Sequence, residues 1–361
     1  NVNSSELKTG LKEYHYEFYN RTPFRYYHLF AGRSVQVEFK KVIEDFKPDV
    51  VYYFGTTGFS PSAKVCVENK IPYTLQFLTT DYYCIKNFAA LEDGPCVKCI
   101  NGKYYNAVIN NCQQNNPKFF HYLKDIANKV ISRKYILKAS KILGYSYDQI
   151  SLYKEYGIKS TSCRITPVFF DRSHLKGLIP ILGDYFLMTG QNIVGKGWHT
   201  LPSIISQCPG VKFKLLFYNK NIADSSIDLY NLKPYIESGQ AEIVVGLEKH
   251  DDVLKLIANA RGVLVPSYYA TTGEFVLLES LGLGKPVLTF DAGIHKEIIE
   301  HKINGMIAKV GDFKQFSINI NEVNSNDDLC RKLSIGALEL FEKLTLQHKF
   351  KAPLEHLFNG L

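Results

Sequence analysis

Two hydrophobic rhythms alternate along the chain from Ser34 onward: short apolar runs, and longer stretches in which apolar residues return every three or four positions. SVQVEFKKVIEDF (34–46) sets Val35, Val37, Phe39, Val42, Ile43 and Phe46 mostly on one face, which predicts an amphipathic helix. KPDVVYYFG follows, a β-branched and aromatic run bounded by Pro and Gly, and predicts a buried strand. The same reading predicts a helix over 60–69, a strand over 71–78, a helix over 116–138, a strand over 141–146 and a helix over 147–156. A second series starts at Asp184 with the strand DYFLMTG, a helix over 196–207, and the strands VKFKLLFY and AEIVVG. The helix HDDVLKLIANA, the strand RGVLVPS, the helix FVLLESLGLG and the strand KPVLTFD come next, then the helix AGIHKEIIE before NGMIAKV.

Strands that alternate with helices predict an α/β fold with parallel sheets covered on both faces. The rhythm breaks over 158–183, which divides the chain into Rossmann-like domains at 1–170 and 171–343, with 344–361 as a terminal helix free to pack back on the first. The length of 361 residues suits two cores of ordinary size. Apolar residues at 45% and charged residues at 22% exclude a disordered chain. No apolar run nears the roughly 18 residues that a membrane span needs. The chain opens on Asn1 with neither Met nor a signal-peptide pattern, which reads as a trimmed or internal fragment.

Charge changes the picture modestly. Lys and Arg total 43 against 35 Asp and Glu, a net charge of +8 that suits anionic ligands such as nucleotide diphosphates or peripheral contact with an acidic membrane face. It equally fits a solvated surface with a basic tilt. Basic blocks are absent, so no nucleic-acid partner is expected. Eight cysteines at this length are too sparse for a disulfide framework. The expected setting is therefore reducing and cytoplasmic, the inner face of the membrane included.

In open parallel sheets, ligands bind beyond the carboxyl ends of the strands. Three loops of the second series lie there. TGQNIVGKG (189–197) offers Gly190, Gly195 and Gly197 for close backbone approach, and places Lys196 where the next helix is expected to begin, so that its charge and helix N-terminal N–H groups both face a diphosphate. PSYYATTGEFVLLESLGLGKPV (266–287) runs from a strand through Thr271, Thr272 and Gly273 to a helix starting near Glu274 and Phe275. Glu279, five residues into that helix, can accept two hydrogen bonds from a ribose diol; the plain alternative is a solvent-facing glutamate. FDAGIHKEIIEHKING (290–305) supplies Gly293 and another first turn.

Together these segments resemble the retaining enzymes of glycosyltransferase family 4. That family shows Gly-Arg, a short loop and Lys-Gly, matched by Gly190-Gln191 and Lys196-Gly197. It also shows Pro-Ser, two glutamates eight positions apart, and Gly-Lys-Pro-Val, matched by Pro266-Ser267, Glu279 and Gly284-Lys285-Pro286-Val287. Glu297-Ile298 and Asn304-Gly305 continue the likeness, which is close over 184–310. Two positions depart: the phosphate-binding arginine falls on Gln191, and the first glutamate on Thr271, with Glu274 three residues on as its substitute. Gln191 lacks the charge and the bidentate fork of an arginine.

The resemblance implies the two-domain GT-B fold and a retaining hexosyltransferase that moves a sugar from a nucleoside diphosphate sugar to a glycan or lipid-linked hydroxyl, without a catalytic metal, in polysaccharide or glycan biosynthesis. It places Lys196 on the leaving diphosphate, Glu279 on the ribose and Glu274 or Thr271 on the sugar. IPYTLQFLTTDYYC resembles the family's strand ending in His-Asp, with Asp81 matched on the acceptor side and Thr80 where the histidine would stand. The family's first strand and glycine-rich acceptor loop have no counterpart before Ser34. Either the first domain is incomplete or the tyrosine-rich opening YHYEFYNRTPFRYYHLF does something different.

Cys84, Cys96, Cys99 and Cys112 cluster after that strand. Four thiolates can close a tetrahedral structural zinc site that pins an irregular insertion; the other reading is free or partly oxidised thiols. Two other functions share the architecture, a nucleotide-sugar 2-epimerase and a non-catalytic binding subunit, the second favoured by Gln191, Thr271 and Thr80. A dinucleotide oxidoreductase is disfavoured, since no Gly-x-Gly-x-x-Gly follows a strand.

Overall fold

The structure is a computed structural model that describes residues 2–6, 12–16, 31–56, 58–112, 119–166, 170–269 and 274–345. Strands β1 (Val51–Phe54), β2 (Tyr73–Gln76), β3 (Lys141–Gly144) and β4 (Cys163–Ile165) form a parallel sheet in chain order. A second parallel sheet contains β5 (Tyr185–Met188), β6 (Lys212–Phe217), β7 (Ala241–Val245), β8 (Gly262–Val265), β9 (Val287–Phe290) and β10 (Met306–Ala308). Its order is β7-β6-β5-β8-β9-β10. The chain runs outward from β5 to β7, returns, and runs outward again from β8, so the order reverses between β5 and β8. Two short antiparallel pairs stand apart: Val2–Glu6 with Lys12–Tyr16, and Ala90–Leu91 with Gly94–Pro95.

The continuous apolar runs of the second sheet follow from burial on both faces. Along β5, Phe186 and Met188 enter one core cluster while Tyr185 and Leu187 enter the opposite one. In β8, Leu264 points to the first cluster, Val263 and Val265 to the second. The first sheet has its own core, in which Phe77, Tyr82, Tyr153 and Tyr156 make mutual ring contacts. Among the described residues no helix is long and apolar enough to cross a membrane.

Several boundaries differ from the sequence reading. The helix expected over 196–207 is two 3-10 turns, Val194–Lys196 and Trp198–Thr200, and a short α-helix, Leu201–Ile205. Gly197, left-handed at φ 80°, interrupts it, and Pro202 in the first turn starts the new helix. Lys196 is therefore not at an α-helix N-terminus. AGIHKEIIE gives one turn only, His295–Ile298. Five α-helices among the described residues went unanticipated: Tyr105–Ile109, Lys220–Leu229, Lys233–Glu237, Phe313–Ser325 and Asp327–Thr345. In Phe313–Ser325, Phe316, Ile320 and Val323 do keep helical spacing and are buried, but the Asn and Ser between them mask the pattern. The irregular stretch 158–183 contains β4 of the first sheet and a 3-10 turn, Arg172–Leu175, whose Leu175 packs on the second domain. The terminal helix expected from 344 lies, beyond Thr345, outside the described residues, as do residues 17–30 of the tyrosine-rich opening.

Candidate active site

The loops that leave β5 and β8 meet at the point where the second sheet reverses its order. Backbone joins them: Tyr268 N–H donates to Gly195 C=O at 2.9 Å. Gly197 comes so close that a Cβ there would stand 2.0 Å from the Pro266 carbonyl oxygen. The Gly-Lys-Gly turn and the Pro-Ser turn are thus two halves of one junction, and glycine is required at Gly197 by conformation and by space.

That junction sets Lys196 against Glu274. Lys196 Nζ donates to Glu274 Oε1 at 2.6 Å, and Ser267 Oγ donates to the same oxygen at 2.6 Å. His295, fully buried after β9, has Nε2 3.9 Å from Glu274 Oε2, beyond hydrogen-bond reach. The Tyr269 ring lies 5.2 Å from Lys196 Nζ. Burial works against both charges, yet Glu274 outweighs it on the lysine and raises the Lys196 pKa. Burial likewise opposes the Glu274 carboxylate, but Lys196, His295 and Ser267 together pull its pKa below the usual value. Burial lowers the His295 pKa, against the pull of Glu274. Three strand ends, those of β5, β8 and β9, thus converge on one buried ion pair.

Glu274 immediately precedes the helix Phe275–Gly282, and Glu279 is the fifth residue of that helix. Glu279 is buried rather than solvent-facing. Its Oε1 lies 2.8 Å from Nε2 of His250, at the start of the helix His250–Ala258; burial raises its pKa, with His250 and His174 opposing. Phe275 is 66% exposed, its ring 6.4 Å from that of Phe170. Gly190 and Gln191 are exposed at the end of β5. Thr271, Thr272 and Gly273 lie outside the described residues. The Gly-Lys-Pro-Val match is architectural: Lys285 Nζ donates to the carbonyls of Ile181 and Ala260, and burial lowers its pKa to about 8.

Asp81 belongs to the first domain. It lines a cavity of about 400 Å³ with Thr56, Ser60, Asp125, Asn128 and Lys129. Thr56 Oγ1 donates to Asp81 Oδ2 and Lys129 Nζ to the Asp81 carbonyl, while the buried Oδ1 has no partner among the described residues. Burial lowers the Lys129 pKa, against the pull of Asp81, Cys84 and Asp125. Thr80 closes the following loop: its hydroxyl donates to the Asn87 carbonyl at 2.8 Å and accepts Ala89 N–H at 2.9 Å.

The four clustered cysteines come into one neighbourhood. Burial pushes Cys84 up to about 12 and Cys99 up to about 11, with Cys112 and Cys96 near enough to add to both. All eight cysteines are free thiols, and among the described residues no three His, Cys, Asp or Glu side chains are placed to hold a metal ion. The donor chemistry suits zinc; the arrangement of these thiols does not present a ligand set.

Sequence reading missed Ser267's bond to Glu274, the His295 and His250 contacts, and Lys129. Ser267 and His295 sat inside quoted motifs but had no spacing signal of their own; His250 and Lys129 come from segments read only as helices.

Residues 235–339 match the family model described as glycosyl transferases group 1. No curated protein sequence matches. Among solved structures, sucrose-phosphate synthase of Thermosynechococcus elongatus superposes with a TM-score of 0.72 at 13% identity, over 99% of this chain and 84% of that one. HepE of Anabaena, in complex with UDP-glucose, gives 0.63 at 15% identity over 89% and 82%. A glycosyltransferase of Rickettsia africae gives 0.65 at 15% identity over 94% and 83%. The fold is that of the GT-B glycosyltransferases, with Rossmann-like domains.

Proposed function

We propose, from the group 1 match and the GT-B fold, that this chain is a glycosyltransferase that takes a sugar from a nucleoside diphosphate sugar and passes it to a hydroxyl of a glycan or lipid-linked acceptor. One observation carries the reading: Lys196 and Glu274 meet where the sheet order reverses, which is where open α/β sheets bind nucleotides. Lys196 stabilises the leaving diphosphate as negative charge develops on it. For that, its ammonium turns from Glu274 to a phosphate oxygen, and Glu274 is released to the hydroxyls of the transferred sugar. Glu279 holds the ribose diol. Asp81, whose Oδ1 lacks a donor, receives the acceptor hydroxyl in the cavity beside Lys129. Retention of configuration and a place in polysaccharide biosynthesis rest on the likeness of the linked motifs to family 4. The HepE structure was solved with UDP-glucose, which makes uridine diphosphate the first nucleotide to try.

A non-catalytic binding subunit is the second reading, favoured because Glu274 already neutralises Lys196 and Gln191 brings no charge. Thermal stabilisation by nucleoside diphosphates and their sugars, on wild type, Lys196→Ala and Glu279→Ala, decides between them together with release of free diphosphate in the presence of candidate acceptors. A stabilisation abolished by both substitutions, with diphosphate released, supports the enzyme. Binding without release in any acceptor panel favours the subunit, and no stabilisation by any nucleotide overturns the donor site.

A further inference from the structure

The loop that carries Asp81 also crosses to the other domain. Ala90, in the hairpin Ala90–Leu91 with Gly94–Pro95, is buried within the core cluster of the second domain, and Phe88 packs against the same cluster. Phe88 sits on Gly195: a Cβ at Gly195 would stand 2.9 Å from Phe88 Cβ and 3.5 Å from Tyr269 Cδ1. The Phe88 and Tyr269 rings meet edge to face, 5.3 Å between centroids and 85° between planes. Tyr269 in turn lies 5.2 Å from Lys196 Nζ. Gly195 adjoins Lys196 in the chain and accepts Tyr268 N–H, so Phe88 packs on the backbone before the lysine and on the ring of Tyr269, the residue after Tyr268. At its other end Phe88 lies next to Asn87 and Ala89, the two residues that Thr80 ties to the start of the Asp81 loop.

We propose that Phe88 is a positioning residue for Lys196, supplied from the acceptor side of the cleft, so that the loop bearing Asp81 and the ammonium facing the diphosphate are held in one geometry. Remote contacts of this kind act on rate because a small misplacement of a charge weakens its hold on the transition state more than on the ground state. A ring that only filled space would contribute to folding and leave turnover per folded molecule unchanged.

The role rests on the glycosyltransferase reading, and the test separates the two. Phe88→Ala and Phe88→Tyr are compared with wild type for sugar transfer and, independently of activity, for the rate at which Lys196 reacts with acetic anhydride, followed by peptide mass spectrometry. Expected for Phe88→Ala is a fall in kcat of roughly 10- to 100-fold with donor KM within about threefold. Lys196 acetylation should become several-fold faster, and Phe88→Tyr, which keeps the ring, should restore both towards wild type. Unchanged acetylation overturns the proposal, as does faster acetylation with kcat within about twofold of wild type. A wild-type chain that transfers no sugar sinks the functional reading, while the acetylation rates still decide whether Phe88 fixes Lys196.

Discussion

The two sheets hold their ligand-side ends by different means. At the carboxyl end of the second sheet, backbone grips backbone: Gly195 C=O accepts Tyr268 N–H, and Gly197 lies against the Pro266 carbonyl. At the carboxyl end of the first, side chains do the holding: Thr56 and Lys129 on Asp81, and Thr80 across the loop to Asn87 and Ala89. A backbone junction admits few residue types, because it needs glycine where no Cβ fits. A junction of side-chain hydrogen bonds can be built from many residue types, since hydroxyl, amide and ammonium groups all donate. The carboxyl end of the second sheet is therefore the stiffer platform and that of the first the more substitutable one.

The hardest way to break this contrast is Gly197→Ala. A left-handed φ of 80° and a Cβ 2.0 Å from a carbonyl oxygen force the two loops apart. The expected loss is about 3 kcal/mol or more in chemical denaturation, with nucleotide stabilisation abolished. Gly210→Ala is its control, since φ there is 76° but nothing lies within 4 Å, and about 1 kcal/mol is expected. Equal losses at the two glycines would mean that the junction is not tight.

Glu274→Gln comes next, because it strands a mostly buried lysine. Breaking such a pair costs about 3–5 kcal/mol. The Glu274 pKa is depressed in the folded protein, so its contribution is full above the ordinary carboxylate value of about 4.3 and is lost as pH falls through the folded value. The stability gap between wild type and Glu274→Gln should hold steady from neutral pH to about 5 and shrink as the solution becomes more acidic than about pH 4.3. A gap that does not change with pH would mean that the carboxylate is not ionised against Lys196.

This contrast also explains what could be read before the structure. Gly195, Lys196, Gly197, Pro266 and Ser267 fell into a recognisable order because a backbone junction fixes residue type and spacing together. Glu279 was legible for the same reason, being set at a constant distance along one helix. The one-turn character of His295–Ile298 was not, since its apolar spacing is that of a longer helix and only the extended geometry at Ile299 ends it. Nothing in the Phe88 stretch marked a contact with Gly195, because the partner lies more than a hundred positions away and each side reads locally as loop. Thr80 stood out only as a departure from His, although its hydroxyl has a clear local task.

At the carboxyl end of the first sheet, Thr80→Val keeps shape and removes the hydroxyl, leaving Ala89 N–H without its partner. A loss of about 1–3 kcal/mol is expected from denaturant titration, smaller than at Gly197 or Glu274. On the proposed function, nucleotide stabilisation should be retained, because Lys196 and Glu274 are untouched, while transfer to acceptor falls. If nucleotide stabilisation disappears as well, the Thr80 loop is as stiff a part of the second sheet's platform as Gly197 and the contrast fails.

The smallest effect belongs to Glu297, where the two domains meet away from the cavity. Its carboxylate accepts Tyr147 N–H at 2.9 Å and Asp148 N–H at 2.7 Å, capping the helix Tyr147–Tyr156 from the opposite domain beside an ion pair of Lys296 with Asp148. Ser146 already caps that helix internally through Gln149 N–H, so the helix itself does not depend on Glu297. Glu297→Gln keeps one of the two acceptor oxygens, leaves the other N–H to water and removes the charge that complements a helix N-terminus, a change of about 0.3–1 kcal/mol at an exposed site and less at high salt. Unfolding of the second domain should be indifferent to the substitution. Because the contact joins domains, its expected signature is faster amide exchange at Tyr147 and Asp148 with overall stability nearly unchanged. A salt-independent loss larger than about 1 kcal/mol would show instead that this interdomain cap, and not the Gly197 junction, is the stiff hinge of the molecule.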